Sequence, residues 1–160
     1  MSKSIIRRAT AEDAEAIAEI AVAEWEAIYQ GFRKQLGDEL FEIQYGDYRA
    51  KKREAVLSNL RDAAMYVTEL EGRVVGFICF FYDGESGIGT ISNNAVSGDA
   101  RGNGLGGKQY EFVFDRLREM GAKCVKVGTG LDEAHAPARR AYEKAGFDRS
   151  LSSITYYKML

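Results

Sequence analysis

The stretch DARGNGLGGKQY, Asp99 to Tyr110, places four glycines between positions 102 and 107, directly ahead of a lysine. Backbone without Cβ atoms can bring successive N–H groups against a phosphate, so this is a candidate anion cradle. Three spacings compete for it. G-x-x-x-x-G-K, at Gly102, Gly107 and Lys108, is the spacing of a nucleotide hydrolase, but that chemistry needs a hydroxyl after the lysine to ligate magnesium, and Gln109 stands there. G-x-G-x-x-G, at Gly102, Gly104 and Gly107, is a dinucleotide spacing that calls for a carboxylate about 20 residues further on to hold the ribose. That neighbourhood reads VKVGTG. R-x-x-G-x-G, at Arg101, Gly104 and Gly106, suits the pyrophosphate of an acyl-coenzyme A. The plain alternative is a strand-to-helix turn whose glycines only relieve crowding.

The elements that must position the loop follow from periodicity. SIIRRA reads as a strand, and Thr10 with Asp13 forms a helix start signal, so a helix is expected from Ala11. Ile17, Ile20, Ala21, Trp25, Ile28 and Tyr29 recur at three- and four-residue steps and give it one apolar face. A second helical stretch runs from about Asp38 to Leu60, anchored on Phe41, Tyr45, Tyr48, Leu57 and Leu60. MYVTEL, a Glu71-Gly72 turn, RVVGFICFFY, the turn DGESG and IGTISNNAV then read as an antiparallel meander. Asn93 and Asn94 interrupt the last strand's apolar alternation and predict a bulge. Tyr110, Val113, Phe114, Leu117 and Met120 give a helix ending at Gly121, KCVKV is a strand, and Pro137 and Gly146 bracket a short helix. SSITYYKML closes the chain as a strand. The fold class is α+β, a mixed, mostly antiparallel sheet flanked by helices.

Composition sets outer limits. The 160 residues suit one domain, 1–160, and the net charge of −2, with both signs mixed throughout, lacks the basic footprint of a nucleic-acid binder. No apolar run approaches the roughly 20 residues that span a bilayer, and MSKSIIRRAT lacks the apolar stretch of a secretory leader, so a soluble, cytoplasmic protein with no membrane partner is expected. Cys79 and Cys124, each in a strand-like run, read as reduced packing residues.

AVSGDARGNGLGG followed some thirty residues later by HAPARRAYEKAGF resembles the two central motifs of the Gcn5-related N-acetyltransferase (GNAT) superfamily, and the β-α-α-β-β-β-α-β-α-β order is also that superfamily's layout. The resemblance implies an acetyl-CoA-dependent N-acetyltransferase acting on a primary amine. In its terms the amides of Gly102, Asn103, Gly104, Gly106 and Gly107 hold the pyrophosphate at a helix N-terminus, where the helix dipole favours anions. Arg101 buttresses the loop or meets phosphate, and Lys108 does either or is solvated. Ala95 and Val96 offer their backbone to the pantetheine arm, and His135 stands where many members carry an asparagine that bonds that arm.

Tyr142 matches the tyrosine of Y-x-K-x-G-F that commonly protonates the departing thiolate. Mechanistically this implies direct attack of a neutral amine in a ternary complex, with no metal. Many relatives place a glutamate base on the strand before the loop, but the matching positions are Thr90 and Ser92, so the base is not identified; Glu24 and Glu26 on the first helix read as its solvated face. That gap leaves room for a non-catalytic acyl-CoA-binding or regulatory domain. Trp25, Tyr29, Tyr45 and Tyr48 either line an acceptor cleft or belong to the core. Polyamines, aminoglycosides, amino acids and protein N-termini are all open as acceptors. Relatives are often homodimers, for which SSITYYKML would supply an edge.

Overall fold

The computed structural model describes residues 3–160; Met1 and Ser2, part of the opening decapeptide read above, lie outside the described residues. Five strands, β1 (Ser4–Arg8), β2 (Ala64–Leu70), β3 (Arg73–Asp83), β4 (Ile88–Val96) and β5 (Cys124–Val127), lie in sequence order in one sheet. Every neighbouring pair is antiparallel except β4 and β5, which are parallel because α4 (Leu105–Glu119) crosses between them. On one face α1 (Ala14–Leu36) and α3 (Tyr48–Asp62), linked by α2 (Asp38–Gln44), pack Ile17, Ala21 and Val56 onto Met65, Val67, Phe77 and Cys79. On the other, α4 and α5 (Ala136–Lys144) pack Tyr110, Val113, Leu117 and Tyr142 onto Ile78, Phe80 and Ile91. The strand alternation of β3 thus feeds two cores, one on each face.

The start signal of the first helix forms, with a second duty. Asp13 accepts the Thr10 N–H at 2.7 Å and two bonds from the Arg7 guanidinium at 2.8 Å each, so it ties β1 to the helix entry. The first turn, Ala11–Asp13, is a 3₁₀ turn, and the α-helix starts at Ala14. The helical stretch expected from Asp38 to Leu60 is divided in two. Gly46 takes φ +53°, which ends α2, and Asp47 caps α3 by accepting the Ala50 N–H at 3.1 Å. The hairpin at Glu71 and Gly72 has positive φ at both residues (52° and 80°), the twist that suits a two-residue connection.

Two expectations fail. Residues 148–160 form no strand, and Leu151, Ile154 and Tyr156 are exposed, so the edge proposed for a homodimer is not present. A strand pattern needs a partner ladder to become a strand, and β5 is only four residues long; the groove beyond it, lined by Phe114, Leu117, Val125 and Phe147, stays open. Cys124 is exposed rather than packed, because it stands at the first position of that short edge strand, whereas Cys79 is fully buried.

Candidate functional site

The site begins where two strands part. β4 pairs with β5 only from Ile88 to Ile91, so its outer edge from Ser92 to Val96 has no strand partner. At the same point its pairing with β3 slips: Phe80 faces Ile91 and Ile78 faces Asn94, leaving Ser92 and Asn93 opposite the single residue Cys79. This is the bulge that the two asparagines predicted. It leaves Ser92 and Asn93 both turned toward Asn59 of α3, while Asn94 turns to α4 and α5 on the other face.

On the α4–α5 face, Asn94 connects two tyrosines. Its amide nitrogen donates to Tyr110 Oη at 2.8 Å, and its amide oxygen accepts from Tyr142 Oη at 3.2 Å. Tyr142 sits in the last turn of α5, whose first turn carries Pro137 and whose end is closed by Gly146 at φ +100° with a Phe147 N–H to Tyr142 carbonyl bond of 3.1 Å. Phe147 packs on the Tyr142 ring edge-to-face with centroids 5.8 Å apart. Burial, reinforced by Tyr110, raises the Tyr142 phenol well above its ordinary pKa, so it is a protonated hydroxyl at neutral pH.

The glycine loop lies at the start of α4. Gly102 and Gly104 adopt φ +84° and +69°, conformations that L side chains rarely take, and Gly104 is the residue before the first helical turn. A Cβ built on Gly102, Gly104, Gly106 or Gly107 meets nothing within 4 Å, so the loop presents bare backbone to open space at a helix N-terminus. That cradle fits a pyrophosphate. Arg101 pairs with Glu24 of α1, which also accepts the Gly98 N–H at 2.8 Å, so Arg101 buttresses the loop. Lys108 is exposed and donates to Ser4 Oγ at 3.0 Å, and Asn103 closes the turn by donating to the Ala100 carbonyl at 3.0 Å. Gln109 is fully buried and donates to Thr68 Oγ1 at 2.9 Å, turned into the sheet and away from any ligand at the loop.

His135 is held by its own turn and by α1. Its Nδ1 lies 2.5 Å from Asp132 Oδ1, and its ring rests against Phe32 of α1, with centroids 6.0 Å apart. Phe32 continues into Tyr29 and Tyr45, both half-buried, which form an aromatic cluster between α1 and the end of α2. Phe41 and Tyr48 are buried behind them and belong to the core. Trp25 meets a residue that the motifs do not reveal: Lys52 Nζ lies 3.5 Å from the centre of its ring and donates to Asn93 Oδ1 at 2.7 Å.

The chain's match to known proteins agrees with this layout. The model of the acetyltransferase (GNAT) family matches residues 11–147. The chain belongs to that family. PaiA N-acetyltransferase from Thermoplasma acidophilum, solved with coenzyme A, superposes with a TM-score of 0.75 at 16% identity over 94% of this chain and 93% of that one. The ribosomal-protein-S18-alanine N-acetyltransferase of Escherichia coli gives 0.65 at 17% identity over 93% and 80%. The aminoglycoside N-acetyltransferase AAC(6')-Iy, solved with CoA, gives 0.62 at 17% over 100% and 97%. At these identities the superpositions show the GNAT fold alone, and no curated protein matches the chain significantly in sequence.

Within this GNAT chain the structure gathers Ala95, Val96 and the glycine loop along one strand-loop-helix path, with Tyr142 at the bulge where that path meets the parting of β4 and β5. His135 lies against the aromatic cluster of α1. The sequence reading missed Lys52, Asn59 and Tyr110. Lys52 carries a signal after all, since Tyr48, Lys52 and Val56 recur at four-residue steps and all three are buried.

Proposed function

We propose that this chain is an acetyl-CoA-dependent N-acetyltransferase, a single domain that transfers acetyl to a primary amine of a small molecule or peptide by direct attack in a ternary complex. The observation that carries the reading is the Tyr142–Asn94–Tyr110 chain, which fixes a protonated hydroxyl beside the bulge at the head of an unpaired strand edge. The co-substrate supplies a thioester carbonyl and a thiolate leaving group. The amides of Gly102 to Gly107 would hold its pyrophosphate, and the open edge at Ala95 and Val96 would take its pantetheine arm as an added strand does. The unshared N–H groups of that edge suit the polarising of a carbonyl oxygen. Tyr142 then gives its proton to the departing sulfur, a contribution of about 10²-fold or more for a positioned acid. The half-exposed rings of Tyr29, Phe32 and Tyr45 suit the approach of an acceptor.

A non-catalytic acyl-CoA-binding domain is the second reading, favoured by Thr90 and Ser92 where relatives carry glutamate. The two separate by release of free CoA thiol from acetyl-CoA in the presence of pooled primary amines. Amine-dependent release supports the enzyme; acetyl-CoA that raises the melting temperature without any release in any pool supports the binding domain.

A further inference from the structure

The side of the bulge opposite Tyr142 carries a polar cluster inside an otherwise apolar layer. Asn59 Oδ1 accepts from Asn93 Nδ2 at 2.6 Å and from Ser92 Oγ at 3.4 Å, and Cys79 Sγ lies 3.7 Å from the same oxygen. Asn93 Oδ1 in turn accepts from Lys52 Nζ at 2.7 Å. Around this cluster stand Trp25, Val56 and Met65 of the α1–α3 core.

Lys52 is only 7% exposed, and none of the ion pairs among the described residues includes it. A buried ammonium without a carboxylate is costly, and proteins that retain one commonly use it in its neutral form. Its place adds to this. Ser92, a position where the resemblance leads one to expect a glutamate base, turns its hydroxyl into the same cluster, so Lys52 lies on that strand face, bonded to the bulge residue Asn93.

We propose that Lys52 is the general base of the transfer, taking the proton from the acceptor's ammonium directly or through one water. The proposal rests on the acetyltransferase reading above. Neutral Lys52 Nζ accepts one proton from R–NH₃⁺, and the resulting amine nitrogen forms a bond to the thioester carbonyl carbon as the carbon–sulfur bond breaks. The departing thiolate takes the Tyr142 proton, the surplus proton on the new amide nitrogen returns to Tyr142, and Lys52 releases its own to solvent. Net, an ammonium and a thioester become an amide, a thiol and one proton.

No carboxylate faces Lys52 among the described ion pairs, so burial decides its charge. From α1 it meets the Trp25 ring and from β4 the Asn93 amide oxygen, both of which favour the ammonium, and from β3 the one titratable neighbour that acts on it, the Cys79 thiol, which burial itself holds in the protonated form. Glu24 and Glu26 on α1 are engaged by Arg101 and Arg49. Desolvation outweighs the Trp25 and Asn93 contacts and brings Lys52 down to about 8.

The test compares wild type with Lys52→Arg and Lys52→Gln in acetyl transfer to n-butylamine, spermidine and a short peptide with a free N-terminal alanine. Acetyl-CoA affinity and melting temperature serve as controls for folding. Arginine keeps the positive charge and cannot act as a base near neutrality. The expected result, with the pH profile read on n-butylamine because its ammonium titrates well above this range, is a wild-type kcat/KM that rises with pH to a midpoint near 8, a fall of at least about 10²-fold in kcat for both variants, and acetyl-CoA affinity within a few-fold of wild type. An Arg variant that keeps wild-type kcat, or a Gln variant that keeps the same pH limb, overturns the base. A variant that loses acetyl-CoA binding together with kcat shows a structural role and also overturns it. A wild type that binds acetyl-CoA yet acetylates none of these amines instead overturns the acetyltransferase reading, and the base with it.

Discussion

Replacing Lys52 by methionine tests the burial of its charge without reference to any activity. In the folded chain desolvation lowers Lys52 from 10.5 to about 8, and each pH unit of such a difference corresponds to about 1.4 kcal/mol. The wild type therefore carries a penalty of roughly 3 kcal/mol whenever Lys52 is charged in both folded and unfolded states, that is, below pH 8. Between pH 8 and 10.5 the unfolded chain binds the extra proton, so stability rises with pH and the penalty fades. Methionine has a similar length and no charge. The difference in unfolding free energy between Lys52→Met and wild type should shift toward the wild type by about 3 kcal/mol from about pH 7 to pH 10.5, while groups common to both chains cancel. Lost contacts with Asn93 and Trp25 offset part of the variant's gain, and the share of them that depends on the charge is already contained in the lowered pKa. Urea denaturation at half-unit pH steps measures it. Two curves that stay parallel across this range would refute the account of an unpaired buried lysine.

Tyr142→Phe removes the hydroxyl that Asn94 holds and should lower kcat by about 10²-fold with acetyl-CoA affinity nearly unchanged, measured by steady-state kinetics beside calorimetric titration. Gly76→Ala places a Cβ 2.7 Å from the Ala95 carbonyl oxygen and 2.8 Å from Gln109 Nε2. Because one of these atoms is backbone, β4 must shift, with a loss of about 1–3 kcal/mol in denaturant stability and weaker acetyl-CoA binding by the displaced strand edge. The Arg7 guanidinium holds Asp13 down to about 2 from 3.8. That contribution is complete above about pH 4 and is lost as pH falls toward 2, so the stability of Asp13→Asn, lower at neutral pH, should converge on wild type in acid denaturation.

The parts of this fold that were legible in the sequence are those fixed by local chemistry. The tight hairpin at Glu71-Gly72, the cap residues Gly121 and Gly146, and the bulge, at Ser92-Asn93 and so one position before the expected pair, each depend on residues within a few positions of one another. The glycine loop was legible for the same reason, and Gln109 resolves its competing spacings by turning into the sheet rather than out to a metal. Lys52 was hidden because KKRE reads as a solvated helix face; only the packing of α3 against β4, 41 residues away in sequence, buries it. Glu24 was read as solvated for the same reason, yet it holds the loop from 74 residues away through the Gly98 amide. The closing strand failed in the opposite sense, since its pattern records a capacity to pair and the short β5 gives it no ladder.

The most direct test of the central claim is the fate of the acetyl group itself. With acetyl-CoA isotopically labelled in the acetyl carbons and a pool of primary amines, mass spectrometry of the products should find the label on the nitrogen of an acceptor, in step with free CoA thiol and without a labelled protein intermediate. Label that stays on coenzyme A, appears only as free acetate, or accumulates on the protein before reaching the amine would contradict direct transfer within a ternary complex.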